Sequence, residues 1–176
     1  MSRFYIGGLG PAAALFCALL PATALGDGMT GENVGRPGKA GAVDRTVEIV
    51  MRDNYFDPEA IAVRSGETLR FKVSNRGQLV HEFSLGTASM HRAHQAEMQM
   101  LMDHGVLTAM RIDREAAAAM QGSMGHGMHV EANSLLLEPG QSGEIVWTFG
   151  PGGTLEFACN VPGHYQAGMQ GSIGVE

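Results

Sequence analysis

Three side chains near the carboxyl end of the chain follow one another at intervals of five residues: Cys159, His164 and Met169. A further imidazole, His81, lies far upstream in an apolar stretch. Thiolate and thioether sulfur favour Cu(I), whereas imidazole suits both Cu(I) and Cu(II), so this donor set can hold copper through a change of oxidation state. We therefore predict a copper centre, with Met169 as a weak axial ligand beside the other three residues.

Each of these residues, taken alone, has an ordinary structural explanation. A single buried cysteine or methionine usually belongs to a hydrophobic core, and a single histidine on an apolar strand is usually hydrogen-bonded. The case for a metal rests on the combination, in which Pro162 and Gly163 bend the chain between Cys159 and His164. Two alternatives stay open, a centre that has lost its function and a centre occupied by zinc.

The chain resembles the cupredoxins, the small blue-copper β-sandwich proteins of the plastocyanin and azurin type. The likeness covers residues 44–85 and 132–176 and includes the segments Asn54–Pro58 and Arg64–Thr68. This resemblance implies that one type 1 copper ion is bound by His81, Cys159, His164 and Met169. The spacing within the last three ligands is similar to that of rusticyanin and auracyanin loops.

Residues 1–26 are typical of a secretory signal peptide. They contain Arg3, an apolar stretch, and small residues before a cleavage site that we place after Ala24 or Gly26. The apolar stretch is too short and too interrupted by glycine and proline for a membrane span. We therefore expect a periplasmic protein without a stable membrane span after cleavage, and an uncleaved anchor is the alternative.

The cysteine content and the net charge of the chain limit the disulfides it can form and the molecules it can bind. Cleavage would remove Cys17 and leave Cys159 without a disulfide partner, and ligation of a metal gives this cysteine a role. The formal net charge of −6 argues against nucleic acid as a partner, since phosphate binding requires basic patches. An acidic surface suits docking to a basic redox protein, and it is equally the ordinary solubility charge of an exported protein. We expect a redox partner protein of unknown identity, and a monomer.

Short segments on either side of residues 86–131 alternate apolar and polar side chains between turn residues, which is typical of strands. The predicted strands are Thr46–Met51, Ala60–Val63, Thr68–Val73, His81–Leu85, Ser134–Leu137, Gly143–Phe149, Thr154–Ala158 and Gly171–Val175. They predict an all-β fold, an antiparallel Greek-key β-sandwich of the cupredoxin kind over residues 44–176. Residues 27–43 are rich in glycine and lack periodicity, which predicts a flexible leader.

The segment 86–131 departs from a minimal cupredoxin and is treated as an insertion. It holds eight of the twelve methionines and five of the seven histidines. The absence of glycine and proline from Ser89 to Asp103 predicts a helix, and a second short helix is predicted over Arg114–Met120. The Met and His side chains of interest fall on one face of the first helix and in a later glycine-rich loop: His91, His94, Met98, Met102, Met124, His126, Met128 and His129.

Two interpretations of this insertion remain open. In the first, the methionines pack the helix against the sandwich and the histidines are solvated. In the second, the eight side chains bind additional copper, because thioether and imidazole suit copper in a compartment where thiols are oxidised. The insertion also resembles that of periplasmic copper-tolerance cupredoxins of the CopI type, which supports a role in copper handling.

Three classes of function follow. The first is an exported copper protein that carries single electrons, which needs only the four ligands and an exposed edge of His164. The alternative is a copper-tolerance or copper-buffering protein that also uses the insertion. We do not expect an enzyme, because a multicopper oxidase or nitrite reductase needs a second catalytic copper and usually further domains.

Overall fold

The computed structural model describes Met1 and residues 34–124, 131–151 and 153–176. The predicted signal peptide after Met1 lies outside the described residues. The described residues form two five-stranded β-sheets, two α-helices and one short 3-10 helix (Ala40–Ala42), which confirms the predicted all-β sandwich with a partly helical insertion. No helix in this part of the chain is long and apolar enough to cross a membrane.

Ten strands make up the sandwich in the described residues. They are β1 (Gly35–Pro37), β2 (Arg45–Arg52), β3 (Tyr55–Asp57), β4 (Ala60–Val63), β5 (Thr68–Asn75), β6 (His81–Gly86), β7 (Ser134–Leu137), β8 (Ser142–Phe149), β9 (Leu155–Ala158) and β10 (Gln170–Val175). One sheet has the order β1-β8-β5-β2-β3, and the other has the order β4-β10-β9-β6-β7. The eight predicted strands are all present, with small differences at their ends.

The sheets are mixed, which corrects the prediction of an antiparallel sandwich. Strand β2 pairs with β5 in parallel, and β4 pairs with β10 in parallel. The chain leaves β2 through β3, crosses to the other sheet as β4 and then returns as β5 beside β2. Alternation of side chains reports which face of a strand is buried but carries no information on strand direction.

The predicted leader ends earlier than expected. Strand β1 pairs with β8, and the indole N–H of Trp147 donates to the carbonyl of Val34 at 3.0 Å. Val34 is itself buried. Residues 34–43 therefore belong to the sandwich, and the predicted boundary at residue 44 is too late. A three-residue strand that contains glycine and proline shows no alternation, so its pattern could not reveal it.

The core lies between the two sheets and is built around aromatic rings. The ring of Phe83 lies 6.0 Å from that of Phe56, 5.3 Å from that of Phe71 and 5.5 Å from that of Phe157, measured between centroids. All four rings are fully buried. His81 projects from the same face of β6 as Phe83, because side chains two residues apart share a face. Packing of Phe83 therefore helps to fix the position of His81.

The insertion supplies the two helices, α1 (Ala88–Asp103) and α2 (Arg114–Met124), close to their predicted bounds. Thr87 caps α1, since its hydroxyl accepts a hydrogen bond from the N–H of Met90. Helix α1 contacts β6 and β9 on their outer side. Strand β6 is buried along its whole length, because the core covers one face and α1 covers the other.

Candidate metal centre

Three of the predicted ligands meet where β6 begins and β9 ends. His81 is the first residue of β6, and Cys159 directly follows β9. These strands are antiparallel neighbours in a register that pairs Ser84 with Ala158, so the start of one lies beside the end of the other. His164 lies in the loop after Cys159. The Nδ1 atoms of both histidines and the Sγ atom of Cys159 all lie within 4.8 Å of one another.

The three donor atoms are spaced as ligands of a single metal ion would be. Nδ1 of His81 lies 3.2 Å from Nδ1 of His164, and Sγ of Cys159 lies 3.9 Å and 3.3 Å from these nitrogens. A metal at about 2.0 Å from each nitrogen and about 2.3 Å from the sulfur joins donors at such separations. Two imidazoles with one thiolate form a donor set that suits copper, so the residues present fit that metal.

Met169 closes the loop that carries the ligands. It is fully buried, its carbonyl accepts from the N–H of Cys159 at 3.1 Å, and its N–H donates to the carbonyl of His164 at 3.0 Å. Gly163 and Gly168 adopt positive φ angles of 87° and 95° within this loop, which glycine does without strain. The backbone of Met169 thus lies beside Cys159, as the predicted axial ligand requires. A thioether is not among the usual ligands of zinc.

The protonation of the three donors follows from their burial. Burial raises the pKa of Cys159 to about 12, although the backbone N–H groups of Glu82 and Val161 stabilise the thiolate. The thiol is therefore protonated at neutral pH before metal binds, and ligation releases that proton. Burial also lowers the pKa values of His81 and His164, so both imidazoles are neutral and able to ligate at neutral pH.

The orientation of His81 is set by Asp53, a residue that the sequence analysis missed. Nε2 of His81 lies 2.9 Å from Oδ1 of Asp53, so the ring donates Nε2–H to the carboxylate and presents Nδ1 to the metal. Burial opposes ionisation of Asp53, but hydrogen bonds from His81 and from the N–H groups of Gln78 and Leu79 hold its pKa below the usual value. Asp53 lies in the turn between β2 and β3, and no motif marks it.

Space for the pair of His81 and Asp53 depends on Gly77. A Cβ atom at residue 77 would collide with Oδ1 of Asp53 and would lie 2.9 Å from Nε2 of His81. Asn75 holds this segment in place, because its side chain accepts from the N–H of Gly77 at 2.9 Å and donates to the carbonyl of Leu79 at 2.8 Å. The chain between β5 and β6 is therefore shaped to admit the carboxylate.

We expect Asp53→Asn to weaken copper binding by about 10- to 100-fold, because the amide keeps the size of the side chain but removes the charge that anchors Nε2–H of His81. Competition with a coloured copper chelator measures the affinity. Asp57→Asn is the matched control, since Asp57 is exposed on β3 and undergoes the same chemical change. Equal affinities in the two variants would show that Asp53 does not support the ligand.

The insertion residues predicted to bind additional copper are placed differently from the primary ligands. His91 and Met98 are buried, with 1% and 2% of their surface exposed, and Met102 packs against the core. For these residues the structure favours packing and hydrogen bonding, the first of the two interpretations, although His91 is not solvated as that interpretation supposed. His94 belongs to a separate group of potential ligands. The side chains of the other four lie outside the described residues, and copper binding there stays a prediction: Met124, His126, Met128 and His129.

His94 forms a second group of potential ligands with Glu97 and Glu131, whose donor atoms lie within 4.8 Å of one another. However, Nε2 of His94 lies 3.0 Å from a carboxylate oxygen of Glu82, and Nδ1 lies 2.9 Å from one of Glu97. Burial opposes a charge on His94, but these hydrogen bonds raise its pKa to about 9. At neutral pH the ring is a cation with both nitrogens protonated, so it lacks the lone pair of a metal ligand.

The chain is similar in sequence to one protein family and to two individual proteins. The family described as a cupredoxin-like domain matches residues 34–99. The copper-resistant cuproprotein CopI of Pseudomonas aeruginosa is 45% identical over 156 residues, which cover 83% of this chain and 84% of that protein. The copper-resistant cuproprotein CopI of Rubrivivax gelatinosus is 42% identical over 140 residues, which cover 79% of this chain and 71% of that protein.

Solved structures of auracyanins share the fold. Auracyanin B gives a TM-score of 0.57 at 21% identity and covers 82% of this chain and 99% of its own. Reduced auracyanin from Roseiflexus castenholzii gives a TM-score of 0.53 at 22% identity and covers 76% of this chain and 98% of its own. At such identities the likeness concerns the fold alone. The two relatives in sequence show that the chain belongs to the CopI family of copper-resistant cuproproteins, and with the shared fold they show that it is a cupredoxin whose cofactor is copper.

Proposed function

We propose that the protein binds one copper ion through His81, Cys159, His164 and Met169 and acts as a one-electron carrier. Copper held there supplies exchange of single electrons between its Cu(I) and Cu(II) states. The observation that carries this proposal is a contrast in exposure: three of the ligands are fully buried, whereas His164 is only partly buried. The ring of His164 thus offers a route for an electron between solvent and a shielded centre.

The surroundings of the ligands suit electron exchange because they hold the ligands in place. Asp53 anchors His81, and backbone hydrogen bonds within one loop connect Cys159, His164 and Met169. Ligands that keep their positions in both oxidation states reduce the rearrangement that accompanies electron transfer. Ala167 is exposed close to His164 in the same loop and gives a redox partner protein an apolar surface to contact.

Copper resistance in the periplasm is a second candidate function, and the relatives favour it. Both of the relatives above are named copper-resistant cuproproteins. The composition of residues 1–26 supports export from the cytoplasm. We propose that the copper centre contributes to resistance by keeping copper bound in that compartment. Neither candidate function transforms a substrate, so we propose a copper-binding protein rather than an enzyme.

Titration of the mature protein with Cu(II), followed by a cycle of reduction and reoxidation, tests the electron-carrier proposal. We expect intense visible absorption to develop with the first equivalent, to disappear on reduction with ascorbate and to return with ferricyanide. Binding of further equivalents without added colour would point to the segment from Met124 to His129. Copper that binds but cannot be cycled between its oxidation states would contradict the electron-carrier role.

Growth of a copper-sensitive host that produces either the natural protein or its Cys159→Ser variant tests the second function. We expect the natural protein to restore growth in copper and the variant to fail, because the variant lacks the thiolate ligand. Equal growth with the two proteins at equal levels in the periplasm would contradict resistance through this centre.

A further inference from the structure

Helix α1 of the insertion contacts the segment Cys159–Met169, hereafter the ligand loop, which carries three of the four copper ligands. His91 and Gln95 lie four residues apart on α1, on the same face of the helix. Nδ1 of His91 lies 3.2 Å from the amide nitrogen of Asn160, and the side chain of Gln95 accepts from the amide of Gln166 at 2.9 Å. Both partners belong to the ligand loop, so α1 is part of the wall around the copper centre.

A third contact joins α1 to the sulfur ligand through the buried carboxylate of Glu82. This carboxylate accepts from the backbone and side-chain N–H groups of Asn160 at 3.2 Å and 2.8 Å, and from the hydroxyl of Ser134 at 2.6 Å. It also accepts from Nε2–H of His94 at 3.0 Å. The backbone N–H of Glu82 donates to Sγ of Cys159 at 3.3 Å. Hydrogen bonds therefore connect His94 to the sulfur atom by way of a single residue.

His94 supplies the positive charge on this path. Glu82 is only 2% exposed and receives hydrogen bonds from donors alone, so it is an ionised carboxylate that has lost its water. A buried charge of this kind is unfavourable unless a partner compensates it. Both ring nitrogens of His94 donate to carboxylates, which makes the ring a cation. Its other partner, Glu97, is exposed, and solvent screens that charge.

We propose that His94 is a positioning residue of the copper centre, which acts through Glu82 to hold the ligand loop and to set the relative affinity for Cu(I) and Cu(II). This inference rests on the copper ligands proposed above. A positive charge near the metal disfavours the more highly charged Cu(II) state, and an uncompensated negative charge favours it. The insertion thereby tunes the primary centre through a histidine that does not itself bind metal.

Glutamine substitutions separate the effect of charge from the effect of packing. In His94→Gln the buried carboxylate loses its cation, so we expect the Cu(I) affinity relative to Cu(II) to fall about tenfold, which lowers the reduction potential by about 59 mV. In Glu82→Gln the negative charge itself is removed, and we expect a shift of similar size in the opposite direction. The double variant should lie near the natural protein, and His94→Lys should recover the potential because it restores a cation.

Arg92→Gln is the matched control, because Arg92 is an exposed cation on the same helix and its charge is screened by water. We expect it to change the affinity ratio by less than about twofold. Potentials are measured on copper-loaded, coloured protein, with thermal unfolding followed in parallel. Shifts of the same sign in His94→Gln and Glu82→Gln, or shifts no larger than that of Arg92→Gln, would overturn the inference.

These measurements distinguish a failure of the role of His94 from a failure of the proposed copper ligands, on which that role rests. A natural protein that binds no coloured copper would overturn the proposed ligands. Coloured variants whose potentials do not follow the charge would overturn the role of His94 alone. If His94→Gln does not fold, Glu82→Gln and His94→Lys still test the role of His94. Glu82→Gln must raise the reduction potential, and His94→Lys must leave it close to that of the natural protein.

Discussion

Cys159→Ser is expected to abolish the intense thiolate-to-copper absorption and to leave the sandwich folded. The Sγ atom of Cys159 is the soft donor that faces both imidazole nitrogens, and a serine hydroxyl is a poor replacement for a soft ligand. The substitution changes little volume, so the buried site still closes around residue 159. Copper affinity should fall by more than the 10- to 100-fold that is typical when a residue hydrogen-bonded to a ligand is replaced.

Visible absorption after addition of Cu(II) measures the first effect, and circular dichroism of the metal-free protein checks the fold. The metal-free variant and the metal-free natural protein should have similar unfolding temperatures. Colour that persists in a folded Cys159→Ser protein would exclude Cys159 as a ligand. A variant that does not fold would instead show that the buried thiol contributes to the core more than its volume suggests.

Phe83→Ala is expected to lower the free energy of unfolding by about 3–5 kcal/mol, because it leaves a cavity among three other aromatic rings. Phe83 is fully buried between Phe56, Phe71 and Phe157. A loss of this size is a large part of the total stability of an ordinary domain. His81 stands two residues away on the same face of β6, so we also expect weaker copper binding.

Denaturant unfolding of the metal-free protein measures this loss of stability without the contribution of bound copper. Tyr55→Ala is a suitable control, because Tyr55 is another aromatic residue but is 44% exposed. Its substitution should change the free energy of unfolding by no more than about 0.5 kcal/mol. Similar losses in the two variants would contradict the central place of Phe83 in the core.

The sequence predicted most strands because their alternation of apolar and polar side chains records burial on one face. This signal is absent from β1 and β3, which are three residues long. The alternation also carries no information on the relative direction of two strands, so the parallel pairing of β2 with β5 could not be predicted. The two helices were predicted because a run of helix formers identifies a helix without reference to its neighbours.

The cluster of His81, Cys159 and His164 could be predicted because these chemical types are rare and their spacing is informative. Asp53 could not be, since an aspartate in a turn is ordinary and its partner His81 is 28 residues away. The histidines of α1 were recognised as chemically able to bind copper, but their protons decide their role. Whether His94 offers a lone pair or donates two hydrogens depends on Glu82 and Glu97, and only the packing of α1 against β6 reveals that.

Strand β6, which is covered on both faces, should be the last part of the copper site to unfold. Because this strand lies between β7 and β9 and is buried on both faces, we expect its amide hydrogens to exchange with water only when the whole sandwich unfolds. The ligand loop has several exposed residues and can open locally at a smaller cost in free energy. We therefore expect copper to enter and leave through local opening of the ligand loop, while His81 stays in place on β6.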